Sequence, residues 1–495
     1  MIDWKEFIKC NRNLLIAPAG HGKTTAITDC ILQCPEGQCQ LILTHTHAGI
    51  ASLRNKFSRK NIPSSKYHIE TITGFAQRYV LSYLGESALP PEDDKEYFDI
   101  AVNKCKELLQ RKVVQMVVVS SYSGVFIDEY QDCTIDQHNM IKSLANNLPL
   151  HILGDPLQGI FSFNQTRLVD FKEHLSDFTK FELLTHPWRW AMTNPALGQS
   201  ILNMRHSLEN GNTICFKEQS KDGVSFHLIK DENEKYKCLA KIINKNPQGL
   251  LIIYPSYTEY NKYGAIQLRG GLNDRISLKQ RVDFANHISI VDAIDSNDYY
   301  ALAKIIDQYL ASCIKSKRTR HIAKFYDILC KMHIKVTELN KWIKRANNCV
   351  IKKKGESSCA SQKLKEMFDA YDASPSLLMI QNIVSYIASL PNIKFYHKEL
   401  LKTIKRCFKL AITNSISMFE AMKLLKARAR HYGRRIDSNC IGTTLLTKGL
   451  EFETVVLWDA HKFSDEKHFY VAISRACKNL VLISETNTFK FSNKK

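Results

Sequence analysis

The sequence predicts an α/β protein built on parallel sheets, and three observations carry that expectation. Short continuous apolar runs rich in β-branched residues recur at 14–17, 41–44, 125–128, 150–154, 250–254, 455–459 and 480–483. Each is followed by a helical pattern, and unbroken rather than alternating apolar strands are what a sheet covered on both faces requires. Between 286 and 440 the pattern changes to long helical periodicities, with Leu302, Ile305, Ile306, Tyr309, Leu310 and Cys313 on one face of a helix. This helical insertion separates run 250–254 from run 455–459, so the second α/β unit is expected to be discontinuous in sequence.

The 495 residues are 44% hydrophobic and 10% aromatic, which excludes a disordered, collagenous or small disulfide-stapled chain and leaves room for about three or four domains. Lys and Arg number 69 against 49 Asp and Glu, a net charge of +20. Such an excess makes a polyanion the first partner to consider, with a membrane surface as competitor. No stretch of about 18 apolar residues occurs and the N-terminal MIDWKEFIKCNRN lacks a signal-peptide apolar region, so neither membrane spanning nor export is expected, and the expected compartment is the cytoplasm. The 15 cysteines are scattered and never spaced C-x-x-C, as suits reduced thiols rather than a disulfide framework or zinc ribbon.

Taken in order, the first element to carry chemistry is 17–24, A-P-A-G-H-G-K-T, between an apolar run and a helical segment. It departs from the P-loop pattern G-x-x-x-x-G-K-[ST] only at Ala17. Gly20 and Gly22 let successive backbone N–H groups turn toward a phosphate, and a helix N-terminus adds its positive end. Lys23 reaches the β/γ-phosphates, and the Thr24 hydroxyl is a ligand for Mg²⁺. Ala19, Gly20, His21, Gly22, Lys23, Thr24 and Thr25 are therefore the expected phosphate-binding set. Such a site also needs a carboxylate for the metal and a base for the attacking water. The run 125–132, V-F-I-D-E-Y-Q-D, supplies Asp128 and Glu129 at the carboxyl end of a buried strand, where open α/β sheets place their ligand chemistry. Between these elements, the Pro-rich acidic stretch 88–99 reads as a linker into a short helical insert.

D-E-Y-Q-D resembles motif II of the UvrD/Rep/PcrA group of superfamily 1 helicases, and A-P-A-G-H-G-K-T resembles their A-G-A-G-S-G-K-T. Further resemblances follow in order: 43–48 to motif Ia, 71–75 to the next DNA-contacting motif, and 153–163 (L-G-D-P-L-Q-G-I-F-S-F) to motif III. Residues 184–189 (L-T-H-P-W-R) resemble motif IV, 443–452 motif V and 470–476 (Y-V-A-I-S-R-A) motif VI. The resemblance implies two RecA-like P-loop domains clamping ATP and Mg²⁺, a reduced helical 1B insertion and a large helical 2B insertion. The implied boundaries are 1–85 with 122–195, 86–121, 196–285 with 437–495, and 286–436. It further implies Thr24 and Asp128 as metal ligands, Gln158 as γ-phosphate sensor, and Arg189 and Arg475 as arginine fingers. Trp188 stands where an adenine-stacking Tyr is usual, and Glu451 where the ribose is contacted. His45, Thr71, Phe161 and Phe163 are implied to meet single-stranded DNA, the aromatics by stacking on bases.

Four departures qualify the resemblance. Residues 1–22 contain no Gln to read the adenine edge, which leaves ATP over GTP selectivity open. Motif V carries Leu445 and Leu446 in place of a His-Ser pair, and His21 stands in the P-loop where Ser is usual. Nineteen residues follow Ala476, too few for a nuclease domain. This compact architecture resembles the UvrD-like component of bacterial Gabija anti-phage systems, which acts beside an OLD-family nuclease. Two activities are therefore expected to compete: a 3′ to 5′ single-stranded DNA translocase or helicase, and a nucleic-acid-sensing ATPase that licenses a nuclease partner. A P-loop kinase or GTPase leaves motifs III to VI unused.

The charge has a location. Residues 311–355 hold 13 Lys and Arg against Asp327 and Glu338, and residues 396–435 hold 11 against Glu399 and Glu420. These two windows account for the whole +20. The excess thus lies in the helical insertion, where Lys352, Lys353 and Lys354 mark a candidate surface for duplex DNA or an acidic partner.

Overall fold

The computed structural model describes residues 2–91, 94, 96–160, 167–182, 186–217, 222–246, 248–255, 268, 272, 288–291, 296–315, 322–344, 348–349, 356–393, 395, 398–432 and 439–491. The chain divides into two compact units. One comprises Met1–Glu92, Glu96–Val291 and Arg430–Lys495, and the other comprises Asp93–Lys95 and Asp292–Ala429.

The larger unit is α/β, as expected, and holds two wholly parallel six-stranded sheets. The first contains β1 (Arg12–Ile16), β2 (Gln40–Thr44), β3 (Tyr67–Thr71), β4 (Gly124–Ile127), β5 (Leu150–Gly154) and β6 (Thr179–Glu182), in the spatial order β3-β2-β4-β5-β1-β6. The second contains β7 (Val224–Leu228), β8 (Leu250–Ile253), β9 (Ser289–Ile290), β10 (Cys440–Gly442), β11 (Phe452–Leu457) and β12 (Ala476–Ser484), in the order β9-β10-β8-β11-β12-β7. Setting aside β6 and β9, each sheet uses five strands, and the two sheets share the feature that sequence-distant strands lie side by side.

The unbroken apolar runs have a direct physical reason. Successive side chains on a strand point to opposite faces. Leu14, Leu41, Leu43, Val125, Ile127, Leu150 and Ile152 enter one core, while Leu15, Ile42, Phe126 and Leu153 enter another on the opposite face. The second sheet repeats this with Leu251, Ile253, Val455, Leu457, Leu480 and Leu482 against Leu250, Ile252, Val456, Val481 and Ile483.

All seven apolar runs are strands or lead into strands. The strands without such a run are β3, β6, β7, β9 and the three-residue β10. Four of these are sheet edges, where one side needs less cover; β7, V-S-F-H-L, buries only Phe226. The segment after the linker forms the helices Tyr97–Leu108 and Lys112–Ser121. Their apolar faces, Ala101, Val102, Cys105, Leu108, Val114 and Val118, join the first sheet's core.

The smaller unit is helical. Its helix Ser296–Lys315 buries Leu302, Ile306, Tyr309 and Cys313, the face the periodicity marks, and Tyr309 stacks on Tyr371 at 5.7 Å. Helix Lys398–Asn414 turns Ile404, Cys407 and Phe408 inward. Among the described residues, no helix is long and apolar enough to cross a membrane.

Candidate nucleotide-binding site

The site lies at the carboxyl ends of β1, β4 and β5. After β1 the chain turns through Gly20 and Gly22, both at positive φ (73° and 92°), the left-handed region that favours glycine. Space imposes the same choice: a Cβ on Gly20 would lie 2.7 Å from Trp190 Cζ3 and 2.8 Å from Arg189 Cβ. Gly22 caps helix Lys23–Gln33 with no side-chain hydrogen bond, leaving that N-terminus open to an anion. Lys23 is 7% exposed, and its Nζ donates to Ala17 O at 3.4 Å and lies 3.8 Å from Glu129 Oε1.

β4 delivers the carboxylates. Asp128 is buried, its N–H donating to Leu43 O at 2.9 Å. Glu129 adopts φ 56°, uncommon for a residue with a Cβ and frequent at functional turns. Its side chain remains 36% exposed and accepts from Gln131 Nε2. Burial, then the Glu129 charge, push the Asp128 carboxyl up. Burial also opposes charge on Glu129, but Lys23, Lys448, the Gln131 hydrogen bond and Arg475 outweigh it and hold that carboxyl well below its ordinary range. The two neighbours are thus driven apart, one strongly ionised and one resisting ionisation without a counter-cation.

After β5, Gln158 Nε2 donates to Asp155 Oδ2 at 2.6 Å, and Gln158 Oε1 accepts from Arg475 Nη2 at 3.4 Å. Arg475 is buried and also donates through Nε to Val471 O at 2.9 Å. Arg189 donates to Ser474 O at 2.5 Å and to Glu451 Oε1 at 2.6 Å. Trp188 is 63% exposed and stands over Gly22, with its Cδ1 3.1 Å from where a Cβ would be. Residues from the P-loop, β4, β5 and the second sheet therefore converge on one place.

Other expected residues lie apart or are otherwise engaged. Thr71 is buried and spends its hydroxyl accepting from Gly74 N at 3.0 Å as the cap of helix Ile72–Leu84. His45 is half-buried, with Nε2 3.3 Å from Cys133 Sγ, and burial then Lys448 push its pKa down to about 4. Phe161, Phe163, Lys352, Lys353 and Lys354 lie outside the described residues. His21 is buried; its Nδ1 faces Ala19 O at 2.9 Å and its Nε2 has no partner among the described residues. Facing a carbonyl, Nδ1 must carry the proton, which leaves Nε2 an acceptor.

Three contributors are not singled out by the sequence. Lys56, on helix His47–Arg59, donates to Thr25 Oγ1 at 3.3 Å; burial lowers its pKa, and Asp128 is the first charge opposing that. Lys448 donates to both Asp132 oxygens at 2.6 Å and to Gln158 O at 2.5 Å. Arg205 pairs with Asp155. Lys448 falls inside the motif V segment and Lys56 one helix beyond the β2 motif, weak signals in each case; Arg205 is simply one of 69 Lys and Arg.

Residues 86–179 match the model of the UvrD/REP helicase N-terminal domain. Gabija protein GajB from Bacillus cereus (strain VD045) is 26% identical over 226 residues, 37% of this chain and 45% of GajB. RecBCD enzyme subunit RecB of Buchnera aphidicola subsp. Schizaphis graminum is 24% identical over 215 residues, 42% of this chain and 16% of RecB. The chain thus spans less than half the length of each of these relatives. A crystal structure of Pif1 helicase from Bacteroides in complex with ADP-AlF3 and ssDNA aligns at 16% identity over 49% of this chain and 56% of that one, with a TM-score of 0.26, too low to argue from. Through residues 86–179 the chain carries the signature of the UvrD/REP helicase N-terminal domain, and it resembles the UvrD-like superfamily 1 helicases, GajB among them.

Proposed function

We propose that this protein is an ATP-dependent motor of the DNA helicase type, hydrolysing ATP and translocating 3′ to 5′ on single-stranded DNA in the cytoplasm. The observation that carries the reading is the convergence of Lys23, Asp128, Glu129, Gln158, Arg189 and Arg475 from two parallel sheets, read as two RecA-like domains. The proposed boundaries are 1–85 with 122–195 and 196–285 with 437–495, with 286–436 as the 2B insertion.

The open N-terminus of Lys23–Gln33 and the Lys23 ammonium take the phosphates. Thr24 and Asp128 offer the hard oxygen ligands that suit Mg²⁺, with Asp128 buried at the carboxyl end of β4. Held by Thr24 and Asp128, such a metal would supply positive charge beside the nucleotide phosphates. Glu129, held ionised by Lys23 and Lys448, accepts the proton of the attacking water. Arg189 and Arg475 meet the charge spreading over the γ-phosphoryl oxygens. Trp188 supplies the face for the base and Glu451 the ribose contact.

The test is ATP hydrolysis titrated with single-stranded DNA, duplex and RNA at fixed salt. Stimulation by single-stranded DNA is expected, and Glu129→Gln should lose about a hundredfold in kcat while still binding nucleotide. Wild-type hydrolysis in that variant refutes the assignment.

A second reading is a DNA-sensing ATPase that licenses an OLD-family nuclease in anti-phage defence, as the similarity to GajB suggests. One observation favours it: the helices Tyr97–Leu108 and Lys112–Ser121 pack into the first sheet's core, leaving a small 1B. A 3′-tailed duplex separates the two, since strong hydrolysis without strand displacement supports the sensor. The basic run Lys352–Lys354 is proposed to take duplex phosphates, so its reversal should flatten the salt dependence of duplex binding.

A further inference from the structure

Arg205 is a charge in an apolar setting. It lies on helix Pro195–Glu209, whose inward face is otherwise Leu197, Ile201, Met204 and Leu208, and it is 2% exposed. Taking a guanidinium out of water costs several kcal/mol unless its donors are met. Asp155, fully buried, accepts from Arg205 Nη1 at 2.7 and 2.8 Å through its two oxygens. Arg205 Nη2 lies 2.8 Å from Glu209 Oε1. A buried pair of this kind adds little stability over apolar residues of equal volume, so the informative fact is what it joins.

It joins three parts of the nucleotide site. Arg205 Nη1 also donates to the Tyr470 hydroxyl at 3.1 Å, and that same oxygen accepts the Ala19 N–H of the P-loop at 3.0 Å. The guanidinium stands over the Tyr470 ring at 5.1 Å. On the other side, Asp155 accepts from Gln158 Nε2 at 2.6 Å, which orients the Gln158 amide so that its oxygen receives Arg475. One side chain thus spans from a loop N–H on the first sheet, through a hydroxyl on the second sheet's helix Glu466–Ile473, to the glutamine between them. All of these groups are buried, so water cannot substitute for a lost partner, and a displacement at Ala19 is transmitted rather than dissipated.

We propose that Arg205 is a positioning residue that couples P-loop occupancy to the orientation of Gln158, through Tyr470 on one side and Asp155 on the other. The inference rests on the ATPase reading above. Arg205 contacts neither the phosphate loop's open face nor the Asp128–Glu129 pair; it acts through Gln158.

Three variants test it. Tyr470→Phe removes the shared hydroxyl and keeps the ring; Arg205→Lys keeps the charge and loses the fork; Arg205→Met removes both. The measurements are the affinity of a fluorescent ATP analogue, kcat and KM for ATP with saturating single-stranded DNA, and the thermal midpoint. Analogue affinity and KM are expected to stay within about threefold in Tyr470→Phe and Arg205→Lys, while kcat falls about tenfold. Arg205→Lys should retain more kcat than Arg205→Met, and Tyr470→Phe should cost less when added to Arg205→Lys than alone. Wild-type kcat in Tyr470→Phe overturns the proposal, as does a fall in thermal midpoint with kcat intact.

If the wild type binds nucleotide but shows no DNA-stimulated hydrolysis, the ATPase reading fails by itself. Coupling is then read from the tryptophan fluorescence change on analogue binding, since Trp188 and Trp190 lie against Gly22 and Gly20. Loss of that change in Tyr470→Phe with affinity retained supports the coupling, and its persistence refutes it.

Discussion

The two sheets are both parallel and six-stranded yet differ in what stands at their carboxyl ends, and the difference shows what makes a phosphate site. In the first, β1 leads through Gly20 and Gly22 to a helix whose N-terminus has no side-chain cap. In the second, β7 leads to helix Glu232–Lys245, whose N-terminus Asp231 caps by accepting from Glu234 N at 2.9 Å. β4 ends in Asp128 and in Glu129 at φ 56°; β11 is followed by Trp458 and Asp459, the latter at φ 49°. Lys23 stands 3.8 Å from Glu129 and 3.4 Å from Ala17 O, long contacts that a ligand's phosphates can replace. Lys235 donates to Asp459 at 2.6 Å and to Glu485 at 2.5 Å, so ammonium and carboxylates satisfy one another. Asp459, His461 and Glu485 converge as metal ligands do, with Lys235 already the cation among them. Like architecture thus holds an open site in one sheet and a closed ionic lock in the other.

The largest expected effect breaks this contrast at its centre. Lys23→Ala should lower ATP hydrolysis about a thousandfold, whereas Lys235→Met should leave KM for ATP unchanged; a shifted KM in the second variant means the second sheet also handles nucleotide. Lys235→Met should instead cost about 2 kcal/mol of folding stability, because it removes the buried cation that bridges Asp459 and Glu485 and leaves Asp459 the longer 3.4 Å contact with Lys462. Denaturant unfolding measures it, and no loss would show the lock to be slack.

Acid should discriminate the sheets next. His151 on β5 is buried against Phe126 with Nδ1 3.0 Å from Asn13 Oδ1, and burial pushes its pKa from 6.5 down to about 3. The second sheet's histidine, His227 on β7, is only half-buried. A depressed folded-state pKa gives stability that is present above pH 6.5 and lost as pH falls toward 3. His151 should therefore cost about 2 kcal/mol between pH 7 and pH 5, and His151→Asn should flatten that decline in the thermal midpoint. The smallest effect belongs to the cap: Asp231→Ala should destabilise by about 1 kcal/mol with ATP turnover untouched, while the uncapped helix at Gly22 has no such contribution to lose.

Legibility in the sequence followed burial. Strands covered on both faces, such as 41–44 and 150–154, announce themselves as unbroken apolar runs, and the edge strands Tyr67–Thr71 and Val224–Leu228 do not, because half-covered positions tolerate polar residues. The candidate nucleotide site was legible where the residues that compose it are local in sequence. Glycines, Lys23 and Thr24 must adjoin to cradle a phosphate, and Asp128 and Glu129 must adjoin at one strand end. Thr71, expected at nucleic acid, has its hydroxyl committed to a helix cap, a use with the same sequence signature.

Sequence by itself determined the α/β class, the P-loop and the carboxylate pair, because each depends on spacing within a few residues. Only the tertiary structure decided that Lys448 reaches Asp132, that Lys56 reaches Thr25, and that Arg205 links Ala19 to Gln158 through Tyr470 and Asp155. These partners stand up to hundreds of positions apart. What selects them is the cost of leaving a buried charge unpaired, and that cost exists only once the chain has closed around it.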